Sequence, residues 1–172
     1  TQYTSSAASD VYKRQGMDCP DCAGKAMTAL RILPQVKSPA VSATRGDVKL
    51  ELDLEKGSLS EVSSALRSLG HAPDTEHHHL KGVKAENVAK RNNTTLRDLK
   101  RLFCLQPGIL DAEIEKDGRI LLQMVSAADK ELIKKRDKAI AHVCGSEPEY
   151  VTAISNRCLL YTSDAADDVY CV

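Results

Sequence analysis

From Cys22 onward, Ala23, Ala26, Met27, Leu30 and Leu33 recur three or four positions apart, the period of one helix face, and Pro34 ends the run. Val36–Thr44 then reads as a strand, with Val41 and Ala43 sharing a side. Arg45-Gly46-Asp47 reads as a turn. Val48, Leu50, Leu52 and Leu54 alternate with charged positions, as a half-buried strand does. Ser58 or Ser60 is placed to cap a second helix, on which Leu59, Val62, Leu66 and Leu69 share a face. Gly70 ends that helix, and His71–His77 reads as a further edge strand.

The same order returns. Asn93 or Thr94 is expected to cap a helix striped by Leu96, Leu99, Leu102 and Phe103. Pro107-Gly108-Ile109 echoes Pro34-Gln35-Val36 at a separation of 73 positions. Asp111–Ile114 and the alternating Ile120, Leu122 and Met124 form a hairpin around a turn at Lys116–Arg119. Ala128–Val143 carries Leu132, Ile133, Ile140 and Val143 on another helix, and Pro148–Thr152 can close the sheet. Repetition at this spacing predicts two copies of one βαββαβ unit. A first strand is also required in each copy. His79–Lys84 can supply it in the second, and only Asp10–Gln15 can in the first.

That last segment has an unusual source. Ser5–Gln15 (SSAASDVYKRQ) and residues 158–168 (CLLYTSDAADD) read as translations of one sequencing-library transposon adapter in its two orientations. Residues 1–15 and 158–172 are therefore expected to be adapter artefact. The domains are expected at 16–77, with a first strand at 10–15 if one forms, and at 79–152. Tyr3, Tyr12, Tyr161 and Tyr170 fall in the suspect ends. Phe103 and Tyr150 remain as the aromatics of the central part, so small aliphatic cores are expected.

Composition narrows the function. Lysine plus arginine and aspartate plus glutamate each number 24, a formal net charge of zero. With no basic stripe interleaved with aromatics, nucleic acid is not an expected partner. No apolar run approaches the ~20 residues of a membrane span. Four cysteines lie in the central part: Cys19, Cys22, Cys104 and Cys144. Without a secretion signal, Cys-x-x-Cys reads as a metal or redox motif before a disulfide.

The informative stretch is Gly-Met-Asp-Cys-Pro-Asp-Cys-Ala-Gly at 16–24. The thiolate is the ligand form of cysteine, and a helix N-terminus favours it through its oriented N–H groups. Two intervening residues, one of them Pro20, bend the chain so that Cys19 and Cys22 can reach one ion, at about 2.3 Å for zinc. Asp18 adds an oxygen donor. Zn(II), Cd(II) and Pb(II) accept mixed sulfur and oxygen ligands, whereas Cu(I) is satisfied by two thiolates. Three protein ligands leave a position open, which suits delivery of the ion over storage.

Gly-Met-Asp-Cys-x-x-Cys, Leu-Pro-x-Val, a glycine-turn hairpin and a helix ending in Leu-Gly-His together resemble the heavy-metal-associated domain. The resemblance implies an α+β class: two tandem ferredoxin-like βαββαβ modules, clear over 16–77 and degenerate over 79–152. It also implies a setting. Such domains occur in metallochaperones, in mercuric-ion-binding proteins and at the cytoplasmic N-terminus of soft-metal P-type ATPases. The Asp before the first Cys resembles the zinc, cadmium and lead exporters; copper members more often carry Thr or His there. Tandem modules resemble the ATPase region more than a free chaperone. The expected function is thus binding of Zn(II), Cd(II) or Pb(II), with Cu(I) less favoured, by Asp18, Cys19 and Cys22 in a truncated, cytoplasmic N-terminal region. Its expected partners are the metal ion and the ATPase core or a metallochaperone. Rival readings are a mercuric-ion-binding or redox-associated module of a mercuric reductase, and a copper metallochaperone. Asp-Lys-Thr-Gly, the phosphorylation signature, is absent, so no enzyme is expected in this stretch.

Other residues carry plainer readings. Met17 packs under the loop. His77, His78 and His79 read as a polar linker between modules before a metal site, and His71 as a satisfied helix-end residue. Cys104 and Cys144 lie on apolar helix faces and read as small buried hydrophobes. Arg45-Gly46-Asp47 is explained by a hairpin, and Asn92-Asn93-Thr94-Thr95 by a helix cap. In the second module Asn92 and Thr95 stand where Cys19 and Cys22 stand in the first, so no metal is expected there.

Overall fold

The computed structural model describes residues 9–13, 20–126 and 130–153, with the backbone alone at 9–13. Asp18 and Cys19 lie outside the described residues, as do Met17 and 158–172.

The first module runs β1 (Ser9–Lys13), α1 (Pro20–Ile32), β2 (Val36–Ser42), β3 (Asp47–Leu52) and α2 (Leu59–Ser68). Its sheet has the order β1-β3-β2, antiparallel throughout. In β1, Tyr12 pairs with Val48 and Ser9 with Glu51. This strand lies within the stretch that reads as adapter. Ladder bonds use main-chain groups alone, so an alternating run without proline suffices there. The β2–β3 turn places Gly46 at φ 62°, and Arg45 Nε meets Asp47 Oδ2 at 2.9 Å. Helix α2 starts after Ser58, whose backbone N–H donates to Glu61 Oε2 at 3.0 Å. It ends in a left-handed Gly70, with the His71 N–H donating back to the Leu66 carbonyl at 3.0 Å.

The second module runs β4 (Thr75–Leu80), α3 (Ala85–Arg91), α4 (Leu96–Cys104), β5 (Ile109–Ile114), β6 (Ile120–Val125), α5 (Lys130–Cys144) and β7 (Tyr150–Thr152). Its sheet order is β5-β6-β4-β7, the antiparallel order of a complete ferredoxin-like unit.

Three expectations fail here. His71–His77 is not an edge strand of the first module, and His79–Lys84 is not the first strand of the second. One strand, Thr75–Leu80, spans both readings and sits in the middle of the second sheet, between β6 and β7. His77, His78 and His79 are thus strand and not linker. The reason is Leu80: it is buried in the second core and pulls the preceding residues into register. Next, Ala85–Arg91 was not anticipated as a helix. Ala85, Val88 and Ala89 give it a buried stripe at helical spacing, too short to stand out in sequence. Finally, the cap of α4 is Thr95, not Asn93 or Thr94.

Each module has its own apolar cluster. Phe103, Leu99, Ile109, Ile120, Leu122, Met124 and Ile140 lead the second. Ala26, Leu30, Val48, Leu50, Leu59, Val62 and Leu66 form most of the first, which also takes in Leu110, Val125 and Leu132 from the second module. Among the described residues no helix is long and apolar enough to cross a membrane.

Candidate metal centre

The centre is built on the start of α1. Pro20 opens that helix, a place where its missing N–H costs nothing and its fixed φ suits the first turn. Cys22 follows in the same turn. Ala26 and Leu30, both fully buried, fix the helix against β3 and α2, and Cys22 and Ala23 pack along the edge of the same cluster. Cys22 is therefore half-buried and not engulfed. On the outer side Asp21 pairs with Lys25 at 2.8 Å, a fully solvated i,i+4 bridge that leaves Asp21 facing away from the core. Of the three expected ligands, the structure places Cys22 on a rigid helix. Asp18 and Cys19 belong to the segment outside the described residues.

The equivalent corner of the second module is closed by hydrogen bonds. Where α1 is one helix, the second module has α3 and α4 separated by Asn92–Thr95. The Asn92 side-chain amide donates to the carbonyls of Val88 and Val143, both at 2.8 Å, tying the end of α3 to α5. Asn93 adopts φ 51°, a conformation asparagine tolerates. Thr95 Oγ1 accepts from the Asp98 N–H at 3.1 Å and donates to Asp98 Oδ2 at 2.7 Å. Polar side chains that might have faced an ion are spent on the backbone.

The histidines do not converge either. Adjacent residues on a strand point to opposite faces. His78 Nε2 meets Glu76 Oε2 at 3.1 Å and its ring packs edge-on against Tyr150, while His79 Nε2 meets Glu115 Oε1 at 3.1 Å. His71 is buried, as a helix-end residue can be, but its Nδ1 has no hydrogen-bond partner among the described residues, so "satisfied" holds there for its backbone and not its ring. Among the described residues no group of three or more His, Cys, Asp or Glu could hold a metal ion. Cys104 and Cys144 are half-buried. Burial pushes both thiols up, Cys144 to about 11, so neither is a ready thiolate.

No protein-family model and no curated protein matches the sequence. Solved structures do match. The water-soluble region of the P-type ATPase CopA from Bacillus subtilis aligns over 95% of this chain and 100% of its own, at 16% identity and TM-score 0.57. The N-terminal soluble domains of Bacillus subtilis CopA align over 87% and 97%, at 15% identity and TM-score 0.52. This chain carries the fold of those soluble regions, two tandem ferredoxin-like modules. An N-terminal domain of a potential copper-translocating P-type ATPase from Bacillus subtilis, solved in the Cu(I)-loaded state, aligns over 40% of this chain and 85% of its own, at 22% identity and TM-score 0.37. In one module the helix that follows the first strand opens with Pro20 and carries Cys22 in its first turn; in the other, the short helix α3 and a turn capped by Thr95 precede the corresponding helix α4.

Proposed function

We propose that the chain binds a soft metal ion through Cys19 and Cys22 of its first module and passes it on, as the cytoplasmic N-terminal metal-binding region of a metal-exporting P-type ATPase. The observation that carries this reading is the position of Cys22, half-buried in the first turn of α1 within a tandem heavy-metal-associated fold. Cys19 stands three positions earlier in sequence, the Cys-x-x-Cys spacing of metal-ligand pairs. The metal here is cargo. Two thiolates hold it, a helix N-terminus supports their charge, and an open coordination position admits a partner's ligands. The second module binds no metal through its loop, since Asn92 and Thr95 are committed to the backbone.

The ion turns on Asp18. With its carboxylate as a third donor, the set suits Zn(II), Cd(II) or Pb(II). The rival is Cu(I), for which the two sulfurs alone suffice, and the matched CopA regions make a copper-handling ATPase or chaperone the second reading. Titration of the full chain with each ion against a chromophoric chelator decides both points. One-to-one binding that disappears in Cys19→Ser/Cys22→Ser is expected; undiminished binding in that variant rejects the site. Asp18→Asn should weaken Zn(II) more than Cu(I), and equal losses would favour the copper reading.

A further inference from the structure

We propose that the second module serves as a scaffold that completes the hydrophobic core of the first. Among the described residues the first sheet has three strands, β1-β3-β2, where the second has four; β7 occupies the place beside β4 that no described strand occupies beside β1. The core over this shorter sheet takes in side chains of the other module.

The route is visible in the register of β5. Pairing with β6 shifts between Ile109 and Asp111, leaving Leu110 as an extra residue. Ile109 and its partner Met124 stay in the second core, while their chain neighbours Leu110 and Val125 join the first. Leu132, near the start of α5, joins it too, although Ile140 and Val143 of the same helix belong to the second core. Leu110, Val125 and Leu132 are 4%, 2% and 1% exposed, within the range of the first module's own core residues, from Ala26 at 0% to Leu66 at 4%. The gap left between Val48, Leu50, Val62, Leu66, Leu110 and Val125 is about 10 Å³. That is at the lower bound for a single water. A hydrogen bond from the Ser126 N–H to the Asp74 carbonyl, at 2.8 Å, holds the connecting segment against the same corner. A module without thiolates at its loop is thereby given work that needs none.

Amide hydrogen exchange on the full chain tests this. In Leu132→Ala and in Leu110→Ala, amides of α1 and α2 should exchange on the order of a hundredfold faster, as a lost core contact allows. Ile140→Ala, in the second core, should accelerate β4 and β6 while changing α2 much less. If Leu132→Ala unfolds the whole chain, Leu132→Val should give the same pattern at smaller amplitude. Unchanged α1 and α2 exchange in the Leu110 and Leu132 variants overturns the proposal. So does an Ile140→Ala effect on α2 equal to that of Leu132→Ala, because the support would then be general and not the work of these side chains.

Discussion

The two modules share a fold, and beyond the extra strand and short helix described in the second they differ at one corner. In the first, an uninterrupted helix begins with proline and carries a cysteine in its opening turn, held at the rim of the core. In the second, the same corner is two short helices joined by a turn whose asparagine and threonine bond the backbone. At the second corner the turn consumes its polar side chains: Asn92 donates to two carbonyls and Thr95 accepts from the Asp98 N–H. Amide and hydroxyl at the second corner thus make a joint where the first carries sulfur in its opening helical turn.

The comparison is broken most completely by removing the sulfurs. Cys19→Ser/Cys22→Ser should lower soft-metal affinity by several orders of magnitude, since whole small zinc sites bind with on the order of 10 kcal/mol and both thiolates are removed. Competition with a chelator measures it. Circular dichroism should be unchanged, because Cys22 sits at the edge of its cluster and not inside it.

The second module should break elsewhere. Phe103→Ala empties the centre of its core and should cost about 3–5 kcal/mol in urea unfolding. Asn92→Ala leaves the Val143 carbonyl without its donor and should cost about 1–3 kcal/mol by the same measurement, with no change in metal binding. A change in metal binding would mean that this corner is a site after all. Thr95→Ala removes only the cap of α4 and should cost ~1 kcal/mol, seen as a small fall in melting temperature.

The smallest effect separates the cysteines. Burial pushes Cys144 up from 9.0 to about 11, so the folded state holds its proton more tightly than the unfolded chain does. Its contribution is whole below pH 9 and is lost as pH rises toward 11. Melting curves across that window should fall slightly more steeply for the parent than for Cys144→Ala. At pH 8, iodoacetamide should label Cys22 well before Cys144.

Much of the fold was legible because its signals are local and periodic. Leu30 and Ala26 announce α1, the alternation of Val48 and Leu50 announces β3, and Gly46 and Gly70 mark breaks where only a left-handed residue serves. The chemistry of the loop was equally local: two cysteines at metal-ligand spacing before a helix need no neighbours to be noticed. What failed was allocation between modules. Residues 71–80 have enough alternation for a strand, but only pairing with β6 and β7 decides which sheet takes it. Helix α3 is too short for periodicity to reveal it, and is fixed by packing Val88 and Ala89 under α5.

The amino-acid order by itself determined the repeat, the elements with clear periodicity, and the sulfur pair, because each depends on residues close along the chain. The tertiary structure alone decided that three leucine and valine side chains of one module lie in the core of the other. Those contacts join positions up to a hundred residues apart, and nothing in a local pattern records which of two apolar surfaces a side chain will finally cover.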